Sequence, residues 1–331
     1  PISLSLSVAI YLYRVLLSDL IFKNPNLDTA ISYSAFCIIP LSFIYIHSES
    51  LRGMRKVELY SLLKYLLIPF FAIIYMLFLN DNSLFTPIIS YVFAVVITSI
   101  LSFIIWIYKS QFFLHNTDKS LKINVLESSY SFFISSSMLL LLQWIDVLFL
   151  GYFKSASDVG IYAVAVKISM FSSIILFSIN SIVAPKISDY FTKNKIDEFK
   201  EIIKKSSKLM FFLTMPVLIF IIILSNFILN IFGGEFLIGK TALRILVFGQ
   251  FFNVLCGSVG YILNMTENHN VFRNIAVFAV LVNIILNIVL IPSIGIEGAA
   301  IASMTSLVLW NLISFVYIYK KFNVSTIWFL K

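Results

Sequence analysis

Long apolar runs separated by short polar stretches dominate this chain. A helix needs about 20 apolar residues to cross a hydrocarbon core roughly 30 Å thick. Ten runs come close to that length, at 2–22, 31–47, 65–80, 85–108, 130–153, 159–183, 209–232, 243–264, 272–292 and 296–319. They are too long and too uniform for β-barrel strands, which alternate over about ten residues. The pattern predicts an all-α membrane protein with about ten transmembrane helices.

The composition supports this prediction. The 331 residues are 60% hydrophobic and 12% charged, whereas soluble domains are about 45–50% apolar and about 25% charged. The two cysteines, Cys37 and Cys256, both lie in apolar runs. A disulfide framework or a CxxC metal site is therefore not expected.

Positive charge concentrates on one side of the predicted bundle. Loops after the even-numbered spans, with the C-terminus, hold 18 of the 24 Lys and Arg residues, and the other loops hold 4. Because basic loops stay in the cytoplasm, we expect the first span to start inside and the C-terminus to lie inside. The net charge of +8 then reflects topology and anionic membrane lipid, not nucleic acid. The longest inner loop, 188–208, fits an amphipathic helix on the inner surface or a solvated extension of the next span.

Two charged residues lie within neighbouring apolar runs. Asp146 is in LLLLQWIDVLFLGYF and Lys167 is in GIYAVAVKISM. Each charge costs about 2.5–3.5 kcal/mol at mid-membrane, so both should face the protein interior, and we expect them to face each other. One interpretation is an ion pair that only fixes the hairpin. The other is a cavity wall in which Lys167 attracts an anionic substrate while Asp146 tunes it or binds a coupling ion.

Other polar residues within spans are weaker candidates. Arg14 lies near the middle of the first span and should line a wet cavity. Gln143 and Asn180 are candidates for polar cavity lining, and the pair Asn283 and Asn287, in LVNIILNIVL, is typical of hydrogen bonding between helices.

Three prolines interrupt predicted spans. Pro40, Pro69 and Pro216 each free a carbonyl and kink a helix, so they are candidate hinges. No HExxH, phosphate-binding loop or nucleophile elbow occurs. We therefore expect no catalytic residue, no metal and no cofactor, so the protein is not expected to be an enzyme. A proton or Na⁺ gradient is the candidate driving force.

Several stretches resemble a known family. SSYSFFISSSMLLLLQWIDVLFLGYFKSASDVGIYAVAVKIS and SINSIVAPKISDYF resemble the central region of Wzx-type O-antigen flippases. These belong to the polysaccharide-transport branch of the multidrug/oligosaccharidyl-lipid/polysaccharide (MOP) exporters. SESLRGMRKVELYSLL resembles that family's inner loop between its fourth and fifth helices.

The resemblance implies an architecture of two six-helix lobes around a central cavity. In this chain it implies a partial N-terminal lobe of four helices at 1–125 and a C-terminal lobe of six helices at 126–331. The first two helices of the family pattern are expected to be missing, so the first lobe is incomplete.

The resemblance also implies a function. Wzx-type proteins move undecaprenyl-diphosphate-linked oligosaccharide from the inner to the outer face of the bacterial plasma membrane by alternating access. Lys167 and Arg14 would be the cavity cations that bind the anionic substrate. An O-antigen polymerase and a chain-length regulator are candidate partners of such a flippase.

Three alternatives stay open. A drug/cation antiporter of the same superfamily would favour acidic cavity residues. A lipid II flippase would share most of the features above. An integral-membrane O-antigen polymerase would carry a large polar loop outside, whereas the longest loop here is inside and Lys-rich.

Overall fold

The computed structural model describes residues 2–22, 27–54, 56–79, 85–110 and 125–329. Within these ranges the regular elements are all helices. They are α1 (Ile2–Leu12), α2 (Arg14–Leu16), α3 (Leu27–Gly53), α4 (Val57–Ser61), α5 (Leu67–Leu79), α6 (Thr86–Ser110), α7 (Val125–Phe153), α8 (Ala156–Ser169), α9 (Phe171–Thr192), α10 (Ile196–Ile223), α11 (Ser225–Asn230), α12 (Lys240–Cys256), α13 (Val259–Met265), α14 (His269–Ile294) and α15 (Ile296–Phe322). Two π-helical turns, Leu17–Ile21 and Leu62–Leu66, and one 3₁₀ helix, Gly234–Gly239, complete the set.

The membrane-spanning character of the chain is confirmed. In the described part of the chain, 9 helical segments are long and apolar enough to cross a membrane. The count is 10 if Ile2–Leu12 and Arg14–Ile21, which meet at 59°, form one bent span. The protein is therefore an all-α multi-pass membrane protein.

Two of the predicted spans have different ends in the structure. The run at 159–183 divides at Met170 into α8 and α9. The inner loop 188–208 contains the first half of α10, which continues without interruption into the next span. Of the two interpretations of this loop, the structure therefore shows the helical extension.

The chain divides into two compact units, Pro1–Lys122 and Ile123–Lys331. In the first unit, α3 packs against α1 and α6, and α5 packs against α6. A small apolar core forms there around Cys37, Ile44 and Val95.

Both π turns lie in the first unit, and one of them, Leu62–Leu66, comes just before Pro69. Pro69 has no N–H to donate to the carbonyl of Tyr65, and its ring would clash with that carbonyl in a regular α-helix. Prolines and π turns are both known sites of helix distortion, and here they are adjacent. By contrast, α3 and α10 continue through Pro40 and Pro216. The role of the three prolines as hinges stays a prediction.

In the second unit, α15 packs against α14, α12 and α7. The hairpin between α14 and α15 is tight because Gly295 adopts φ +60 and Gly298 has no side chain. A Cβ on Gly298 would lie 2.6 Å from the main-chain carbonyl of Leu290. This close contact brings polar residues of α14 and α15 together in front of α7.

Candidate functional site: a buried carboxylate beside a polar cavity

Asp146 lies on α7 inside the second unit, with 2% of its surface exposed. Its Oδ2 accepts hydrogen bonds from the Tyr162 hydroxyl at 3.1 Å and from the Ser303 hydroxyl. Its Oδ1 accepts from the amide groups of Asn283 at 3.0 Å and Asn287 at 2.6 Å. Four helices, α7, α8, α14 and α15, therefore meet at this one carboxylate.

The two asparagines are also bonded to each other. The Nδ2 atom of Asn287 donates to Oδ1 of Asn283 at 2.9 Å, one helical turn earlier on α14. Both residues are fully buried. Oδ1 of Asn287 accepts no hydrogen bond from the described residues. A buried acceptor without a donor is costly, so this oxygen is suited to accept a hydrogen bond or to bind a cation.

The ion pair expected between Asp146 and Lys167 is not formed. Lys167 Nζ instead lies 5.2 Å from the centroid of the Trp144 ring. At 3.6 residues per turn, the side chains of Asp146 and Trp144 point about 200° apart around the axis of α7. Those of Tyr162 and Lys167 point about 140° apart around the axis of α8. Similar depth in the membrane does not bring the two charges together, so the expectation that they face each other is wrong.

Asp146 also contributes to the wall of a cavity of about 280 Å³. The wall is formed by α7, α8, α9, α12 and α15. Among its residues, Asp146 is the only ionisable one in the described part of the chain. Its other polar or aromatic residues are Gln143, Ser169, Ser173, Gln250, Asn253, Ser303, Ser306 and Trp310. Leu, Met and Val side chains form the rest of the wall, so the cavity is nearly uncharged and presents both polar and apolar surface.

Three of these wall residues form a small network. Oε1 of Gln250 accepts from the Ser173 hydroxyl at 3.3 Å and from Nδ2 of Asn253 at 3.2 Å. These bonds orient both amides. The amide nitrogen of Gln250 and Oδ1 of Asn253 remain available to a molecule in the cavity.

Lys167 lies beside this cavity in a separate recess of about 40 Å³. The recess shares Gln143, Val166 and Met170 with the cavity wall. Lys167 is exposed, and no carboxylate of the described residues lies within ion-pair distance of it. Its charge is therefore available at the rim of the cavity.

The structure places the remaining candidates elsewhere. Asn180 is buried on α9 with 4% exposure and does not line this cavity. Arg14, in the first unit, follows the bend between α1 and α2. Its Nε lies 3.0 Å from Oδ1 of Asp28, and its Nη1 donates to the carbonyl of Tyr11. The guanidinium is therefore already paired with a carboxylate.

Tyr162, Ser303, Gln250, Asn253 and Trp310 belong to the site but are absent from the sequence-based candidates. Tyr, Ser and Trp are common in membrane helices, so nothing in their immediate sequence distinguishes them. The asparagine pair of α14 did carry a signal, because two amides one turn apart in an apolar span need polar partners.

Solved structures with the same fold include two groups of transporters. A structure of "Lipid II flippase MurJ, inward closed conformation" matches with TM-score 0.74 and 18% identity, covering 97% of this chain and 71% of that one. "Crystal structure of MATE in complex with MaL6" matches with TM-score 0.71 and 15% identity, covering 97% and 77%. The chain therefore has the fold of MOP transporters.

Two curated relatives come from Haloferax volcanii. "Probable low-salt glycan biosynthesis flippase Agl15" is 30% identical over 165 residues, which cover 50% of this chain and 35% of that protein. "Probable flippase AglR" is 30% identical over 175 residues, covering 52% and 37%. The chain thus matches little more than a third of the length of either relative.

Two family models match the chain. The MatE model matches residues 132–289, which include Asp146 and the asparagine pair of α14. The model described as "Polysaccharide biosynthesis protein" matches residues 2–191, more than half of the chain. This protein belongs to the polysaccharide biosynthesis protein family.

Proposed function

We propose that this protein is a flippase that moves a lipid-linked oligosaccharide from the inner to the outer face of a bacterial plasma membrane by alternating access. The carrier is undecaprenyl diphosphate and the glycan is an O-antigen repeat unit. The C-terminus lies in the cytoplasm, in accordance with the basic inner loops. No step of this transport requires bond chemistry, so the protein is not an enzyme.

The observation that carries the proposal is the nearly uncharged cavity beside Asp146 in the second unit, where amide and hydroxyl side chains lie among apolar ones. Apolar surfaces suffice to pack helices in lipid, whereas this cluster of polar groups within the spans favours contact with water or a polar solute. A glycan headgroup is such a solute. The family and the flippase names of the two Haloferax volcanii relatives support the same function.

Asp146 is proposed to bind the coupling ion. Buried charges in proteins are paired or bind cations, and this carboxylate has neutral partners only among the described residues. A proton on the carboxyl group would complete the site. Na⁺ is the other candidate, because a carboxylate oxygen is a hard ligand of the kind that such a cation prefers; it would take the place of one of the four donors.

Lys167 is proposed to attract the diphosphate at the rim of the cavity. Its exposed ammonium group has no carboxylate partner among the described residues, unlike Arg14, whose charge is offset by Asp28. We therefore assign substrate attraction to Lys167 and a structural role at the bend of the first span to Arg14.

A drug/cation antiporter is the second candidate, favoured by the MatE match. Such a protein needs a carboxylate that a cationic drug can reach. Both oxygens of Asp146 are already engaged by four donors, which argues for the flippase. Resistance to cationic dyes conferred by the gene, without any effect on surface glycan, would favour the antiporter.

The test is deletion of the gene in its own host, followed by complementation. We expect the deletion to remove surface polysaccharide and to accumulate lipid-linked repeat units that a membrane-impermeant lectin cannot reach from outside. The wild-type gene should restore both, whereas Lys167→Ala should restore less than a tenth of the surface glycan at equal membrane abundance. Normal surface glycan in the deletion strain would contradict the proposed function.

A further inference from the structure

The residues that line the cavity in the second unit indicate which chemical group of a substrate could bind there. Three amide side chains and four serines line it, together with the indole of Trp310. Its volume of about 280 Å³ is just below the roughly 300–1,000 Å³ of pockets that bury drug-sized ligands. It is large enough for one or two sugar rings but not for a lipid-linked repeat unit with its carrier.

We propose that this cavity is a sugar-binding subsite, and that Asn253, Gln250 and Trp310 decide which glycan the protein accepts. The inference rests on the proposed flippase function and assigns the glycan headgroup to these residues. The diphosphate would stay outside the subsite, at the rim next to Lys167.

The first argument is hydrogen-bonding complementarity. Oε1 of Gln250 is used by Ser173 and Asn253, so the nitrogen of Gln250 is left as a donor and Oδ1 of Asn253 as an acceptor. Adjacent sugar hydroxyl groups can each donate and accept. A fixed donor next to a fixed acceptor therefore matches a pair of neighbouring hydroxyl groups on one ring.

The second argument is the position of Trp310. Its ring packs edge-on against Phe272 at 5.8 Å between centroids, and a side chain on Gly260 would lie only 3.6 Å from it. The indole is therefore held in place on one side while it lines the cavity on another. The C–H groups of a pyranose ring form an apolar face, which can pack on such an aromatic surface.

The third argument is charge. The cavity wall contains no Lys, Arg or His among the described residues, so it has nothing to neutralise a diphosphate. Its one carboxylate, on Asp146, is saturated by donors from Tyr162, Ser303 and the two asparagines of α14. Apart from the coupling ion proposed for Asp146, the cavity therefore offers no charged group with a free position to a ligand. A neutral ligand that has both hydroxyl groups and an apolar face is the class that fits this wall.

The experiment measures binding to the full-length protein purified in detergent. Three probes are used: the lipid-linked oligosaccharide from the protein's own host, the free oligosaccharide released from it by mild acid, and polyprenyl diphosphate without sugar. We expect wild-type protein to bind the first probe and the second to displace it. We expect the polyprenyl diphosphate to bind the wild-type protein as well, and Lys167→Ala to weaken that binding.

Asn253→Leu is the main variant because it removes the free acceptor while Gln250 keeps its bond from Ser173. We expect it to weaken binding of the free oligosaccharide about tenfold, as expected for one or two lost hydrogen bonds and their desolvation. Binding of polyprenyl diphosphate should not change. Asn226→Leu is the matched control, since the same substitution is made at an exposed position of α11 outside this cavity.

Trp310→Leu provides an independent variant in case Asn253→Leu fails to fold. This variant should weaken binding of the free oligosaccharide about tenfold and leave binding of polyprenyl diphosphate unchanged. Equal oligosaccharide affinity in wild type and in a folded variant, or no displacement by the free oligosaccharide, would overturn the sugar subsite while the flippase function stands. Wild-type protein that binds no lipid-linked oligosaccharide would instead refute the proposed function itself.

Discussion

Asp146 shows how much a single residue in an apolar span can reveal. A lone carboxylate in LLLLQWIDVLFLGYF must face protein or water, because the cost of exposing it to lipid is several kcal/mol. That prediction is met, since Asp146 is buried among polar side chains. The identity of its partners did not follow, because residue spacing fixes depth along a helix but does not say which neighbouring helix a side chain faces.

Asp146→Asn should separate ion coupling from stability. An asparagine can keep the bonds from Asn283 and Asn287 on its carbonyl oxygen, while the hydroxyl groups of Tyr162 and Ser303 rotate to accept from its nitrogen. We therefore expect the free energy of unfolding to change by less than about 1 kcal/mol, and ion-driven transport to be lost. Transport in proteoliposomes with an imposed proton or Na⁺ gradient would measure this.

Asp146→Ala is the companion variant. It leaves four donors without an acceptor, and each unsatisfied buried group costs about 1–3 kcal/mol. Thermal unfolding in detergent should therefore occur at a clearly lower temperature than for Asp146→Asn. Similar unfolding temperatures for the two variants would show that the hydrogen-bond network contributes little to stability.

At the scale of the helices, the hairpin of α14 and α15 determines the geometry of the site. The small residues of GIEGAAIAS allow close packing, and Ala299, Ala300 and Ala302 are fully buried. The bend between α1 and α2 was not predictable in the same way. No proline or glycine marks it, and the ion pair of Arg14 with Asp28 on α3 forms only in the folded unit.

Gly298→Ala should open this hairpin. The new Cβ would lie 2.6 Å from the Leu290 carbonyl, so the two helices must separate, at a cost of about 1–3 kcal/mol. The displacement would also move Ser303 away from Asp146. We expect a lower unfolding temperature and a lower rate of ion-driven transport.

Gly160→Ala is the matched control. Gly160 lies inside α8, and a Cβ there meets nothing within 4 Å. Since alanine favours helix over glycine by roughly 0.5–1 kcal/mol, this variant should unfold at the same or a higher temperature and transport normally. If both variants behave alike, close packing at Gly298 is not important for the site.

At the scale of the whole molecule, the hydrophobic pattern was sufficient to predict an all-α multi-pass protein. The ends of the helices were less predictable. The segment 188–208 left two interpretations open, an amphipathic helix on the inner surface or an extension of the next span. Its lysines and glutamates are good helix formers, and α10 begins within it and continues into that span. The run at 159–183 divides at Met170, and no proline or glycine next to Met170 marks this break in the sequence.

The orientation can be tested with single cysteines, because both native cysteines are buried. Ser157 and Lys204 are exposed near opposite ends of the second unit's helices. We expect Ser157→Cys to react with an impermeant maleimide in intact cells, and Lys204→Cys to react only after the cells are broken open. The reverse labelling pattern would place the basic loops outside.

The positions of the Asp146 partners in the chain also determine when each of them is available during synthesis and membrane insertion. Asn287 follows Asp146 by 141 residues in the chain, so at about 5–20 residues per second a ribosome needs roughly 7–28 s to make it. During that interval α7 is in or near the bilayer with a carboxylate that has no amide partner. We therefore expect the insertion machinery to retain α7 until α14 and α15 arrive, and a chain that stops before them to be degraded faster than the full-length chain.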